Sequence, residues 1–575
     1  MTARDQPNVE NTAFPPIAIV GRACLLPGAF SPEALWEAVV EGRDLVGSVP
    51  PDRWGMDPAD VLCSSPAESQ DRTWSDRGGY VEGFQDIFSP DGFAIPAADV
   101  EGLDPVFQWT LHTAREALRD AGHDSSKPDR FGAVFGNLSF PSAQMAAFTQ
   151  AVTIGSLPGY GPEALAAANV ATPDPRNRFT SGLPALTLER ALSLGAGALA
   201  LDAACASSLY AIKLACDRLH DGTADLMLAG AVNSADDLCI HLGFAALTAL
   251  SRTGQSRPFN DRADGLVPAE GCGFVALRTL EAALTDGDTI HGIIRGVGLS
   301  NDGRSRGLLV PSSEGQTRAM AMAVEQAGVN PSAISMLECH ATGTQVGDRT
   351  EITSSAEVYR DCTDLPIGSL KSNLGHLITA AGVAGLIKVV EAMRHETRPP
   401  TLHVDDPIQA IDGSPFRLLA EAEPWDRSAT VDGVLRAGVS AFGFGGNNAH
   451  LIVEEPGHQR VEAPARPLPP IPVAIVGIGV TAASAVGRQA FADALIGQNH
   501  CLDGSGEGRM GPLSLALKEQ KFPPNDLKKT LAQQLAMVQV TDEALADSGP
   551  LPTATTGVYV GMGTDPEAAR FGVRW

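Results

Sequence analysis

What the chain lacks narrows the field first. Lys and Arg number 42 against 68 Asp and Glu, a formal net charge of −26, so the basic stripes of a nucleic-acid or acidic-membrane binder are missing. An acidic protein partner would have to dock on a locally basic patch that this total conceals. No apolar run reaches the roughly 18 residues a membrane span needs, and Met1-Thr2-Ala3-Arg4-Asp5 opens no signal segment, which points to the cytoplasm. The nine cysteines (24, 63, 205, 216, 239, 272, 339, 362 and 501) are odd in number, scattered and never spaced CxxC. That argues against a metal site or a disulfide framework.

What is present is a long globular chain. At 575 residues, 44% hydrophobic and 19% charged, it exceeds one ordinary core, and two or more domains are expected. Residues 1–15 are polar and read as a flexible lead. From Ile17 onward, short apolar runs ending in Gly alternate with amphipathic stretches such as Phe107–Ala121, the pattern of a layered α/β protein. The run 137–195 reads as a mostly helical insertion. A Pro-rich linker covers 456–471, dividing a domain at 16–455 from a segment at 472–575. That segment repeats the beginning in order. Val473-Ala474-Ile475-Val476-Gly477 echoes Ile17-Ala18-Ile19-Val20-Gly21, Glu543–Gly549 echoes Glu116–Gly122, and Thr556–Gly561 echoes Phe131–Gly136. Residues 472–575 are therefore expected to be the opening part of a second copy.

Leu201-Asp202-Ala203-Ala204-Cys205-Ala206-Ser207-Ser208-Leu209 is the stretch around which the rest is organised. Ala198–Asp202 predicts a short buried strand, and the apolar stripe Leu209, Ile212, Ala215, Cys216 and Leu219 predicts a helix over 207–220. Cys205 would then sit at a helix N-terminus, where the dipole favours the thiolate.

Two histidines share that kind of setting. His340 follows a predicted strand in Glu338-Cys339-His340-Ala341-Thr342-Gly343-Thr344, and His376 closes Lys371-Ser372-Asn373-Leu374-Gly375-His376. Strand ends are where sites assemble in α/β sheets. A thiolate can attack a thioester, two imidazoles can stabilise an enolate or move a proton, and backbone N–H groups can form an oxyanion hole. Lys371 can set the local charge. Phe442-Gly443-Phe444-Gly445-Gly446-Asn447-Asn448 runs into a β-like segment, so it reads as a tight turn presenting Phe442 and Phe444 rather than as a phosphate loop. His450 reads as a structural residue.

With these motifs in this order, residues 17–455 resemble the β-ketoacyl synthase family of fatty-acid and polyketide synthases, in the thiolase-like superfamily. The resemblance implies a five-layer α/β/α/β/α fold of two related halves, usually in a homodimer. It implies decarboxylative condensation of an acyl group held on Cys205 with a malonyl group on an acyl carrier protein. His340 and His376 would promote decarboxylation. Lys371 matches the family lysine, Thr342 and Thr344 match residues meeting the pantetheine arm, and Phe444 matches the gating phenylalanine. The substrates would arrive as phosphopantetheine thioesters, with no cofactor bound by this domain and with other synthase domains as partners. Ala203-Ala204-Cys205-Ala206-Ser207-Ser208 is similar to iterative type I systems, including polyunsaturated-fatty-acid synthases, where a ketosynthase precedes a chain-length factor. A non-elongating, chain-length-factor-like partner and a thiolase are the alternatives; the retained Cys205 and the Asn-Leu-Gly-His motif speak against each in turn.

Overall fold

Runs of small and β-branched residues become strands buried on both faces, and ten of the eleven strands in the main sheet pair in two matching sets. The computed structural model describes residues 14–564 apart from 66–70, 124–128, 156–173, 304–308, 458–471, 512, 514, 516–523 and 553–554. Most of the Pro-rich linker and of the N-terminal lead lies outside the described residues, as does part of the 137–195 insertion. The chain divides into two units, one being Leu468–Ala568 and the other the remainder.

In the larger unit, β1 (Ile17–Leu25), β2 (Phe131–Asn137), β3 (Ala198–Leu201), β4 (Leu226–Asn233) and β5 (Gly271–Thr279) form one half-sheet. The other half holds β6 (Gly292–Asn301), β7 (Met336–Glu338), β8 (Leu365–Gly368), β10 (Arg436–Phe442) and β11 (Asn447–Glu454), with β9 (Phe416–Leu418) added beside β8. Both halves share one wiring. The first strand pairs antiparallel with the fifth and the fifth antiparallel with the fourth; the fourth runs parallel to the second and the second to the third. The halves meet where Ile17, Ala18 and Ile19 pair with Ile294, Ile293 and Gly292.

Alternation along β1 separates the layers. Ile17 and Ile19 enter a central core with Leu209, Ile212, Val383, Leu386, Val439 and Leu451, while Ala18 and Val20 face an outer core with Phe107 and Leu111. A third core joins Leu337 and Ile367 to Met320, Ala323 and Ile352. The stack is therefore α1 (Pro105–Asp120), the first half-sheet, α2 (Ser207–His220) with α5 (Ala381–Arg394), the second half-sheet, then α3 (Ser313–Ala327) with α4 (Gln345–Val358). This is the five-layer arrangement of two related halves. Helix α5 is buried from Ala381 to Met393, as a helix between two sheets must be. Its buried charges are paired, Lys388 with Glu338 at 2.7 Å and Glu391 with Arg22 at 2.5 Å.

One strand departs from expectation. β3 is not buried: among the described residues it has β2 alone as a neighbour and forms the end of the sheet, with Leu199 42% exposed. An outer edge lacks the second flanking strand that would cover it.

The smaller unit contains a helix, α6 (Ala532–Ser548), and a two-stranded hairpin. Among the described residues the strands expected at 473–477 and 556–561 do not form, and neither segment has a β-partner, with Ile475 84% and Tyr559 89% exposed. Their counterparts β1 and β2 are strands because β4, β5 and β6 flank them, and an apolar segment without neighbours does not form a sheet. The packing on the helix nevertheless repeats. The Arg22 N–H donates to the Asp120 carboxylate at 2.8 Å, and the Ile478 N–H to Asp547 at 3.1 Å. A Cβ added to Gly21 would collide with the Ala117 carbonyl, and one added to Gly477 with that of Ala544.

Candidate active site

Cys205 stands between β3 and α2 on a bend held by its own neighbours. The Asp202 carboxylate accepts the N–H groups of Ala204 and Ser139, each at 2.8 Å. Ser207 Oγ accepts from the Ala203 N–H at 2.8 Å and donates to the Ala204 carbonyl at 2.6 Å. Ala204 sits at φ 51°, a left-handed conformation costly for a residue with a Cβ and kept only where surroundings enforce it. The small residues of this stretch permit that turn.

The thiol is 4% exposed, and this corrects the expectation of a resting thiolate. Burial pushes its pKa up to about 11, against the opposing pull of the Phe444 N–H, the Lys371 charge and its own N–H. Desolvation outweighs the helix terminus. Two of those opposing groups, the N–H of Phe444 and of Cys205, flank the sulfur as an oxyanion hole would. Phe444 reaches it because Gly443 lets the β10–β11 turn approach closely: a Cβ there would lie 2.6 Å from the Ala203 carbonyl oxygen.

His376 Nε2 lies 3.0 Å from Cys205 Sγ. The Ile378 N–H donates to His376 Nδ1 at 3.3 Å, so the ring proton sits on Nε2 and points at sulfur. The His340 ring meets that of His376 edge-on at 5.3 Å and the Phe442 ring at 5.9 Å. Both histidines are held well below the usual imidazole range, by burial first, then by Lys371, and for His340 also by His376. They are neutral at pH 7, which leaves each ring one N–H to donate and no charge. Their donor atoms and Cys205 Sγ lie within 4.8 Å of one another, a composition that could suit zinc. The wiring does not: a ligating histidine gives its lone pair to the metal and donates its other N–H outward, whereas His376 Nδ1 accepts.

The His340 loop is fastened from α4. Glu351 accepts the N–H groups of His340 and Ala341 at 2.7 Å each, and Asp348 accepts those of Thr342 at 3.0 Å and Phe259 at 2.8 Å. Burial pushes Glu351 up to about 7 and Asp348 up to about 6. Thr342 and Thr344 are half-buried, their hydroxyls 3.1 Å apart. Lys371 is buried in the turn beneath His376, its pKa lowered by burial despite Glu338, Glu351 and Cys205.

The two phenylalanines separate. Phe442 is buried at the end of β10 behind His340, whereas Phe444 lies in the turn and meets Phe244 at 6.1 Å. His450 is fully buried in β11, between Tyr359 Oη at 2.8 Å and Ser440 Oγ at 2.9 Å, and is not part of the Cys205–His340–His376 cluster. Sequence reasoning missed the apolar surface around the thiol, where Ile240, Phe244, Leu250, Leu266 and Ile378 pack with Cys205. These come from separate segments with no shared motif. Asp348 and Glu351 were legible only as acidic residues soon after a histidine.

Known proteins match the chain over much of its length. Residues 15–283 match the family model Beta-ketoacyl synthase, N-terminal domain, and 291–405 match Beta-ketoacyl synthase, C-terminal domain. A PKS-NRPS hybrid synthetase of Aspergillus niger is 36% identical over 464 residues, 78% of this chain but 24% of that protein. The chain thus spans about a quarter of the length of that curated relative. Among solved structures, a ketosynthase–chain length factor of PfaC is 31% identical with a TM-score of 0.84, covering 93% of this chain and 60% of that one. The oxazolomycin ketosynthase domain of Streptomyces albus JA3453 is 32% identical with a TM-score of 0.67, covering 77% and 75%. Matched in both family domains, in sequence relatives and in fold, the chain belongs to the β-ketoacyl synthase family, as a ketosynthase of the polyketide-synthase kind.

Proposed function

We propose that the larger unit is an elongating condensing enzyme. The Cys205 sulfur attacks the carbonyl of an acyl thioester on a carrier protein, and the Cys205 and Phe444 N–H groups hold the oxyanion. The carrier thiolate leaves and takes up the thiol proton. A malonyl thioester then loses carbon dioxide while His340 and His376 donate to its enolate oxygen. The enolate carbon attacks the Cys205 thioester, breaking its C–S bond to give a β-ketoacyl carrier and the Cys205 thiolate, which takes up a proton from water. Thr342 and Thr344 would line the pantetheine arm and Phe444 the entrance to the thiol. The observation that carries this reading is the 3.0 Å approach of a proton-bearing Nε2 to the buried Sγ, an arrangement suited to donating rather than to binding metal.

The test is intact-mass spectrometry after offering a panel of acyl-carrier thioesters, then malonyl carrier. Wild type should gain an acyl adduct and discharge it as a β-ketoacyl product. Cys205→Ala should gain none yet still release carbon dioxide from malonyl carrier; an adduct on that variant would overturn the assignment.

We further propose that residues 472–575 are the opening of a second ketosynthase-like unit, of chain-length-factor type. The repeated bonds Arg22–Asp120 and Ile478–Asp547 support it. So does the coverage of 93% by the ketosynthase–chain length factor structure, against 77% by a ketosynthase domain. The open edge of β3 is suited to pairing with a second ketosynthase-like subunit, as in a homodimer, and sedimentation would detect it.

A further inference from the structure

Lys388 is the one lysine inside α5, its side chain 1% exposed, and it touches none of the reacting atoms. Its Nζ donates to Glu338 Oε2 at 2.7 Å. The Leu370 N–H, one residue before Lys371, donates to Glu338 Oε1 at 2.6 Å. Helix α5 also presses on this carboxylate: a Cβ on Gly385 would lie 3.0 Å from Glu338 Cγ. Both oxygens of Glu338 are thus engaged, and no ion pair of Lys371 occurs among the described residues. Yet Glu338 and Lys371 are close enough to act on each other electrostatically.

We propose that Lys388 is a positioning residue that sets the reactivity of Cys205 by holding Glu338 away from Lys371. A buried lysine beside a free carboxylate would pair with it, and its field at the thiol would be cancelled. With Glu338 committed to Lys388 and to a backbone N–H, Lys371 stays without an ion-pair partner among the described residues, and its charge lowers the cost of forming the thiolate. The groups that share this region are Cys339, which feels both lysines and both Glu338 and Glu351, Glu351 and Asp348 on α4, and Cys205, His340 and His376 themselves. Of these, Glu351 and Asp348 already accept two backbone N–H groups each, which leaves Glu338 as the carboxylate whose partner decides the balance.

The inference rests on Cys205 being the nucleophile, and the assay separates the two ideas. Iodoacetamide alkylation of Cys205 in the full chain, followed by peptide mass spectrometry across pH, reads the thiolate fraction. Lys388→Met should slow alkylation at fixed pH about tenfold, equivalent to an upward midpoint shift of about one pH unit. Lys388→Gln, whose amide can still donate to Glu338 and so keeps the carboxylate in place, should shift less than Lys388→Met. Lys388→Arg and the double variant Glu338→Gln/Lys388→Met should stay at the wild-type midpoint, the first keeping the charge and the second removing both charges together. An unshifted midpoint in a folded Lys388→Met, a shift of about one pH unit in a folded Lys388→Gln, or an equal shift in the double variant overturns the proposal. Failure to alkylate Cys205 in wild type would instead overturn its role as nucleophile.

Discussion

Gly443→Ala tests the proposed oxyanion hole apart from the rest of the site. Gly443 does not occupy a left-handed conformation, so alanine adds no backbone strain and acts through space alone. Its Cβ would lie 2.6 Å from the Ala203 carbonyl oxygen and 3.2 Å from both the Ala204 Cβ and the Cys205 nitrogen. Two of these neighbours are backbone atoms of the nucleophile bend, which Asp202 and Ser207 already pin. The turn must therefore recede, by roughly 0.5–1 Å, a displacement large on the scale of close contacts. Phe444 follows Gly443 directly, so its N–H leaves the roughly 2.7–3.1 Å window an oxyanion donor needs. Losing one such donor costs about 10²–10³ in rate, or about 3–4 kcal/mol. Single-turnover acylation from an acyl-carrier thioester, followed by rapid-quench mass spectrometry, measures that loss. Iodoacetamide alkylation supplies the control, because it depends on the thiolate fraction and develops no oxyanion. The Phe444 N–H also lowers the thiol pKa, so alkylation slows somewhat, but the ratio of acylation to alkylation should fall at least about tenfold. Equal losses in both rates, or acylation within about threefold of wild type in a folded variant, would refute the placement of the Phe444 N–H in the oxyanion hole.

His340→Ala should leave self-acylation intact and block condensation, because His376 still faces Cys205 at 3.0 Å; β-ketoacyl product at the wild-type rate would remove His340 from the mechanism. Glu351 has its pKa raised from 4.5 to about 7 by burial, so the folded state favours its protonated form. That contribution to stability is complete below pH 4.5 and is lost as pH rises through about 7. Glu351→Gln should therefore flatten the decline in melting temperature between pH 5 and pH 8 relative to wild type, whereas an unchanged slope would mean that Glu351 stays ionised throughout. Ile19→Asp and Ile475→Asp occupy matching places in the repeat, one fully buried and the other 84% exposed. By circular dichroism the first should prevent folding, as an unpaired charge in the core does, and the second should change stability by no more than about 0.5 kcal/mol.

What could be read without coordinates followed the reach of each interaction. Residues 207–220 form the helix expected of them, because an apolar stripe against a polar face is a local property that the core then uses. Cys205, His340 and His376 were legible as a set because each lies beside a strand end with small or polar neighbours, and the sheet carries those ends to one place. The thiol's protonation was not legible. A helix N-terminus is visible in sequence, but the desolvation that outweighs it comes from Ile240, Phe244, Leu250, Leu266 and Ile378, brought together only by folding. Phe442 and Phe444, two positions apart, divide between a strand end and a turn, a difference set by where pairing with β11 stops. The repeat makes the same point about strands. Ile17–Gly21 and Val473–Gly477 are near-identical in pattern and both rest on a helix through equivalent glycine and aspartate contacts. One is a strand and the other is not, because strand formation belongs to the pair of segments that hydrogen-bond, and the flanking segments of β1 lie more than two hundred residues downstream.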